Sequence, residues 1–299
     1  MFNNSEVDFE RLELLFRRSN SLPELPGSAL RIIELIDSGA ASAIDLERII
    51  STDPGLSGNL LRISNVRMPG MEQTGVTTIR SAIMKLGQRS VRNLAVSLIM
   101  QTVANGRDIC PDFPVDRFAH HSLFVAFLSR YLFARRNMIT PFESRWSADE
   151  LFASGLLHDI GIPLLARVAP ESYFRVHSFA SRVNYSLEAS FLKIYEKPIT
   201  SLACTAVEAW ALPDLFTNTL RYTAEPWRMP EEYTALCCLN YANHIAHVLE
   251  ERTEDWRCSS TLMPEVETEI ALQDDELTKV TEFIDDQVTA YLKTRDAAA

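Results

Sequence analysis

The chain has 299 residues, 46% of them hydrophobic, and a formal net charge of −11. This is enough apolar material to build one large or two ordinary domains, while the acidic balance repels phosphate backbones and excludes general nucleic-acid binding. The N-terminus, MFNNSEVDFERLELLFRRSN, lacks the apolar stretch of a signal peptide, and no run of about 18 apolar residues predicts a membrane span. Cys110, Cys204, Cys237, Cys238 and Cys258 are odd in number and match no zinc spacing, so they predict a reducing compartment and a cytoplasmic location.

Glycine is scarce, and long stretches are rich in Leu, Ala, Arg and Glu, which favours helices. Glu6 to Arg18 carries the first helical apolar face, and Leu22 to Gly27, with its two prolines, breaks it. Ser28 to Asp37 is the second helix, stopped at Ser38-Gly39. Ser42, with Asp45 three residues on, caps a helix through Ile50. Asp53 as N-cap and Pro54 at the first position open another to Asn65. A loop is expected from Arg67 to Gly75, then helices from Thr77 or Thr78 to Leu86 and from Ser90 to Ala104, with Gly87 between them. Asn105-Gly106, Pro111 and Pro114 mark a boundary.

Beyond it the helices lengthen. Val115 to Arg136 is one, and Ser147 with Glu150 forms a capping box for the next. Further helices are predicted for Glu171 to Arg182, Ser186 to Tyr195, Thr200 to Trp210, Pro213 to Tyr222 and Pro230 to Glu250. Arg252 to Ala271 reads as a long loop or linker. Asp274 to Arg295 is amphipathic, with a stripe of Leu277, Val280, Phe283, Ile284, Val288, Tyr291 and Leu292 expected to dock on the body. The fold predicted is all-α in two helical lobes, residues 1–105 and 110–250, followed by a linker and helix over 251–299.

The stretch that the Ser147 box introduces, LFASGLLHDIGIPLL (Leu151 to Leu165), reads as one apolar core helix, yet it carries His158 and Asp159. A polar pair in such a place needs hydrogen-bond partners or a metal.

Several segments then stand in a recognisable order: LPELPGSALRIIELI, IISTDPGLSGNLLRISN, TTIRSAIMKLGQRSVRNLAVSL, HHSLFVAFLSRYL, LFASGLLHDIGIPLL and VEAWALPDLFTNTLRYT. Together, from about Leu22 to Leu249, they resemble the HDOD domain, a helical output or regulatory module of bacteria related to HD-type phosphohydrolases. In catalytic HD enzymes a His, a His-Asp pair and a distant Asp hold one or two divalent metals, which generate a hydroxide and neutralise phosphoryl oxygens. By that resemblance His121 matches the first His, and His158 and Asp159 match the pair. The rest departs from the pattern: Ile199 and Thr223-Ala224 stand where further histidines are expected, and Asn243 stands at the distant Asp. His121, His158 and Asp159 give a ligand charge of −1, too little for two divalent ions, and leave room for at most one weakly held ion.

These departures favour a buried hydrogen-bonded cluster of His121, His158 and Asp159 over a metal centre, with no catalytic residue and no cofactor assigned. His120 falls on another face from His121, and His244 and His247, three apart but with no carboxylate pattern, read as surface or core packing. Trp210 reads as a core anchor, and the basic run Arg62, Arg67, Arg80, Lys85, Arg89 and Arg92 as solvated helix faces. The resemblance implies a non-catalytic signalling module acting through protein contacts, with sensor, receiver or cyclic-di-GMP-turnover proteins as partners in trans. The alternatives are a metal-dependent phosphohydrolase and a nucleotide-binding sensor without turnover. A fourth acidic or His ligand brought to the cluster by the fold would favour the hydrolase.

Overall fold

The computed structural model describes residues 4–18, 21–65, 75–106, 108–251 and 262–296, and among them every regular element is helical. The chain divides into two compact units, Glu24–Thr102 and Met1–Pro23 with Val103–Ala299.

The first helix, α1 (Asn4–Arg17), precedes the smaller unit in sequence but is not part of it. The smaller unit holds α2 (Gly27–Asp37), α3 (Ala43–Ser51), α4 (Pro54–Ser64), α5 (Ile79–Leu86) and most of α6 (Gln88–Ala104). The helix starts follow local chemistry. Ser42, Asp53 and Thr78 each accept the backbone N–H three residues on, and Pro54 sits where its missing N–H is not needed. Gly87, at φ +80°, takes the left-handed geometry that lets the chain pass from α5 into α6. Ile32, Ile33, Leu46, Ile50, Leu56, Leu60 and Ile83 form the apolar interior. Three of the basic side chains are engaged within the unit. Arg92 makes two bonds to Asp37 at 2.7 and 3.1 Å, Arg80 Nε donates to Glu47 at 2.7 Å, and Lys85 Nζ donates to the Ser64 carbonyl at 2.7 Å. The loop expected from Arg67 to Gly75 lies almost wholly outside the described residues.

The larger unit holds α7 (Val115–Ile139), α8 (Ala148–Leu157), α9 (Gly161–Val168), α10 (Pro170–Val183), α11 (Leu187–Tyr195), α12 (Thr200–Ala209), α13 (Asp214–Tyr222), α14 (Tyr233–Glu251), α15 (Pro264–Ile270) and α16 (Asp274–Asp296). Helix α7 is its axis: α8, α14 and α16 all pack on it. Two sequence expectations are corrected here. First, α1 belongs to this unit rather than to an N-terminal lobe of residues 1–105. Its buried Phe9, Leu12 and Phe16 recur at helical spacing and cover α11 and α12, with Phe9 edge-on to Phe191 at 6.4 Å and Asp8 paired with Arg175 at 3.1 Å. Second, the expected linker contains a helix, α15, opened by Pro264 with Glu265 and Glu267 in its first turn. Residues 252–261 of that linker lie outside the described residues.

Helices α15 and α16 are fastened to α7 and α14 by a polar seam. Arg135 Nη2 donates to Glu276 at 2.8 Å and Tyr131 Oη donates to the same carboxylate at 3.0 Å. Arg136 pairs with Glu269 at 3.3 Å, and Thr234 Oγ1 donates to Glu269 at 2.7 Å. Val280, Ile284 and Val288 of the predicted stripe are buried, but Phe283 is 62% exposed and faces away from it; the Tyr291 side chain lies outside the described residues.

The Leu151–Leu165 stretch is not one regular helix. The Ser147–Glu150 capping box opens α8, which ends at Leu157, and α9 restarts at Gly161. Pro163 explains the break: in an unbroken helix its N–H would be required by the Asp159 carbonyl four residues back, and proline has none. The Asp159 carbonyl accepts from Ile162 N at 3.0 Å instead, and Ile160 N donates to Leu157 O at 3.0 Å, a tighter three-residue pattern. The joint holds His158 and Asp159. Among the described residues, Ala148–Val168 is the one rod long and apolar enough to cross a membrane, but 89% of its most apolar window is buried inside the fold, so it is core.

Candidate functional site

The site begins at a helix crossing. A Cβ on Gly155 would lie 2.6 Å from Ala126 Cα and 2.8 Å from Ala126 N, so only glycine lets α8 approach α7 this closely. His121 lies more than one turn before Ala126 on α7, and His158 lies one turn beyond Gly155. The crossing therefore brings the two imidazoles together, with ring centroids 5.1 Å apart.

His158 Nδ1 lies 2.8 Å from the Gly155 carbonyl. A carbonyl can only accept, so Nδ1 donates to it, and the ring donates to Asp159 as well only when Nε2 also carries a proton. That Nε2 faces Asp159 Oδ2 at 3.1 Å, His121 Nε2 at 3.2 Å and Asn243 Oδ1 at 3.2 Å. His121 Nε2 lies 3.4 Å from Asp159 Oδ2. His121, His158 and Asp159 are 5%, 6% and 8% exposed. Burial pushes the Asp159 carboxyl up, but the charge of His158 and the hydrogen bonds and charge of the two histidines outweigh it and hold the group well below the usual carboxylate range.

Two further donors complete the surroundings. His247, one turn beyond Asn243 on α14, is 2% exposed and lies over His121 with ring centroids 4.7 Å apart and planes at 30°. Glu188 stands in the first turn of α11, whose N-terminus is fixed by Ser186 accepting from Ala189 N. Ligand atoms of Asp159, Glu188 and His247 lie within 4.8 Å of one another, as do those of His121, His158 and Asp159. Asp159 is common to both groups. Imidazole and carboxylate donors of this kind suit a divalent transition metal, so the residues present fit such an ion.

Sequence reasoning named His121, His158 and Asp159 and missed Glu188 and His247. His247 had a signal: four residues from Asn243, it must share that residue's face of α14. Glu188 had none, because an acid in a first helical turn is an ordinary complement to the helix dipole. The positions expected to depart from the hydrolase pattern do so structurally as well. Ile199 is buried, with its carbonyl 3.2 Å from where a Cβ on Gly161 would lie; the Thr223 hydroxyl donates to the Thr219 carbonyl; and Ala224 is exposed. His120 turns away from the cluster and pairs with Asp285 at 3.1 Å, and His177 stacks on Tyr173 with centroids 5.9 Å apart. Trp210 is only half-buried, at the end of α12.

Residues 22–226 match the family model of the HDOD domain. A protein of Treponema pallidum (strain Nichols), described as uncharacterized, is 23% identical over 237 residues; the match covers 79% of this chain and 44% of the relative, so this chain spans less than half of that protein's length. Among solved structures, an HDOD domain protein of unknown function from Geobacter sulfurreducens superposes with a TM-score of 0.68 at 15% identity, covering 97% of this chain and 96% of the other. A candidate signal transduction protein from Marinobacter aquaeolei VT8 gives 0.67 at 21% identity, with 97% and 66% covered. A candidate metal-dependent phosphohydrolase from Shewanella amazonensis SB2B gives 0.65 at 17% identity, with 96% and 99% covered. These structural likenesses show a shared helical fold, and the match over residues 22–226 shows that the chain belongs to the HDOD domain family.

Proposed function

We propose that the chain is a cytoplasmic regulatory module that works through contacts with signalling proteins and does not turn over a phosphoester. The observation that carries this reading is the position of Asn243. A neutral amide, 3.2 Å from His158 Nε2, stands where an HD hydrolase would have a carboxylate. With it the carboxylate donors around the cluster, among the described residues, are Asp159 and Glu188, a formal −2, which balances one divalent ion. A two-metal mechanism, in which paired ions clamp the attacking and leaving oxygens, would need more negative charge than this. The near-complete burial of His121, His158, Asp159 and His247 supports the same reading, since a reacting phosphoester must reach its metal. The name of the Marinobacter protein points the same way and that of the Shewanella protein points to hydrolysis. The hydrolase reading draws its own support from Glu188 and His247, which add donors beside Asp159.

By family resemblance the partners are sensor, receiver or cyclic-di-GMP-turnover proteins. The test is affinity capture of the full chain from its native host, read by quantitative mass spectrometry, with Asp159→Asn alongside. The expected result is the same signalling protein enriched near stoichiometry on both baits. No enrichment over a control bait would contradict the proposal.

A further inference from the structure

We propose that Asp159, Glu188 and His247 bind one divalent transition-metal ion, which ties the α8–α9 joint to α11 and α14. This site is distinct in composition from the His, His-Asp, Asp pattern of HD hydrolases: Glu188 and His247 are not in that pattern, and His247 lies beyond the residues that match the family model.

Three observations carry the assignment. The ligand atoms of the three side chains lie within 4.8 Å of one another although they come from three separate segments of the chain. Donor atoms on one ion with metal–nitrogen and metal–oxygen bonds of about 2.0–2.2 Å lie roughly 3–3.6 Å apart, so the three side chains close on a common centre by drawing together by up to about 1–2 Å. Two of the three are carboxylates, one of them almost fully buried, so a cation between them gains the attraction of both in a poorly solvated place. With a neutral imidazole the triad carries −2 and neutralises a divalent ion, whereas His121, His158 and Asp159 alone carry −1.

The rest of the site is arranged to support such an ion. His121 lies against His247 and its Nε2 lies 3.4 Å from Asp159, so it supports both ligands. His158, its Nδ1 proton committed to the Gly155 carbonyl, aims its remaining nitrogen at the same carboxylate. Mixed nitrogen and oxygen donors favour manganese, iron, cobalt or zinc over calcium or magnesium, which take oxygen ligands. Glu188 is the half-buried member of the triad, which makes it the side from which an ion enters.

The test is titration of metal-stripped full chain with Co²⁺, followed by calorimetry and by visible absorption. One Co²⁺ per chain is expected, with a rise in melting temperature on binding. Glu188→Gln and His247→Phe should each weaken binding by at least about tenfold, the effect that loss of even an outer-shell partner produces. Glu188 is half-buried in a first helical turn, so metal-free Glu188→Gln should melt no lower than the metal-free wild type; it suffices alone if His247→Phe does not fold. The proposal is overturned if the wild type binds no Co²⁺, or if Glu188→Gln binds within twofold of wild type, which would leave the ion to His121, His158 and Asp159. Phosphoester turnover in the Co²⁺ form would overturn the non-catalytic reading above and leave this assignment standing.

Discussion

Gly155 packs directly on the backbone of Ala126, with no room for a Cβ between them. Gly155→Ala should therefore force α8 away from α7 and separate His158 from His121. Overpacking against backbone costs about 1–3 kcal/mol. Denaturant unfolding should show a lowered midpoint with an unchanged slope. A midpoint equal to wild type would mean that the crossing gives way easily and does not set the cluster's geometry.

Asn243→Asp restores the carboxylate next to His158. Without metal, a third acid beside Asp159 and Glu188 should lower stability at neutral pH by about 1–3 kcal/mol. With Co²⁺ present, the added charge should instead tighten binding by about tenfold. A thermal melt with and without Co²⁺ reads both signs. A variant that is as stable as wild type without metal and binds Co²⁺ no better would show that Asn243 lies outside the ion's reach.

How much of this was legible in the sequence depends on the range of the interaction. Helix starts at Ser42, Asp53, Thr78, Ser147 and Ser186 were readable because a cap is a contact between residues three apart. The break at Pro163 was readable in principle, yet the apolar spacing from Leu151 to Leu165 concealed it. The pairing of α1 with α11 and α12 was not readable, because an amphipathic face says that it must be covered and not by what. Glu188 was invisible for the same reason: only the tertiary approach of α11 to the α8–α9 joint gives it a partner. His158 and Asp159 stood out as a polar pair in an apolar stretch and His121 was found through resemblance, while the geometry that joins them rests on a glycine that the sequence alone does not mark.

Docking of α16 should depend on acid. Glu276 is held below its ordinary value chiefly by the hydrogen bond from Arg135, against a smaller opposing effect of burial and with Tyr131 adding to the lowering. A lowered folded value means that the stabilisation is fully present above the unfolded carboxyl's pKa, about 4.3, and is lost as pH falls through the folded value. Hydrogen exchange of α16 should accelerate below about pH 4 in wild type, and Glu276→Gln should exchange fast at neutral pH with a flatter profile. Equal protection of α16 in both proteins at pH 7 would show that Val280, Ile284 and Val288 hold it unaided.

The adjacent cysteines of α14 should be inert in the native state. Burial pushes the Cys237 thiol up to about 12 and holds the fully buried Cys238 thiol well above its ordinary value. Because the thiolate is the nucleophile, iodoacetamide at pH 8 should label Cys110, which is only half-buried, and leave Cys237 and Cys238 until denaturant is added. Labelling of Cys238 in the native protein at the rate of Cys110 would mean that α14 opens on the timescale of the reaction.

The claim that this HD-type cluster no longer supports hydrolysis is tested most directly by turnover of a generic phosphodiester by the full chain, with saturating Mn²⁺ or Co²⁺ and Asp159→Ala as the control. The expected result is a rate indistinguishable between wild type and Asp159→Ala with either metal. Metal-dependent turnover by the wild type that disappears in Asp159→Ala would contradict it.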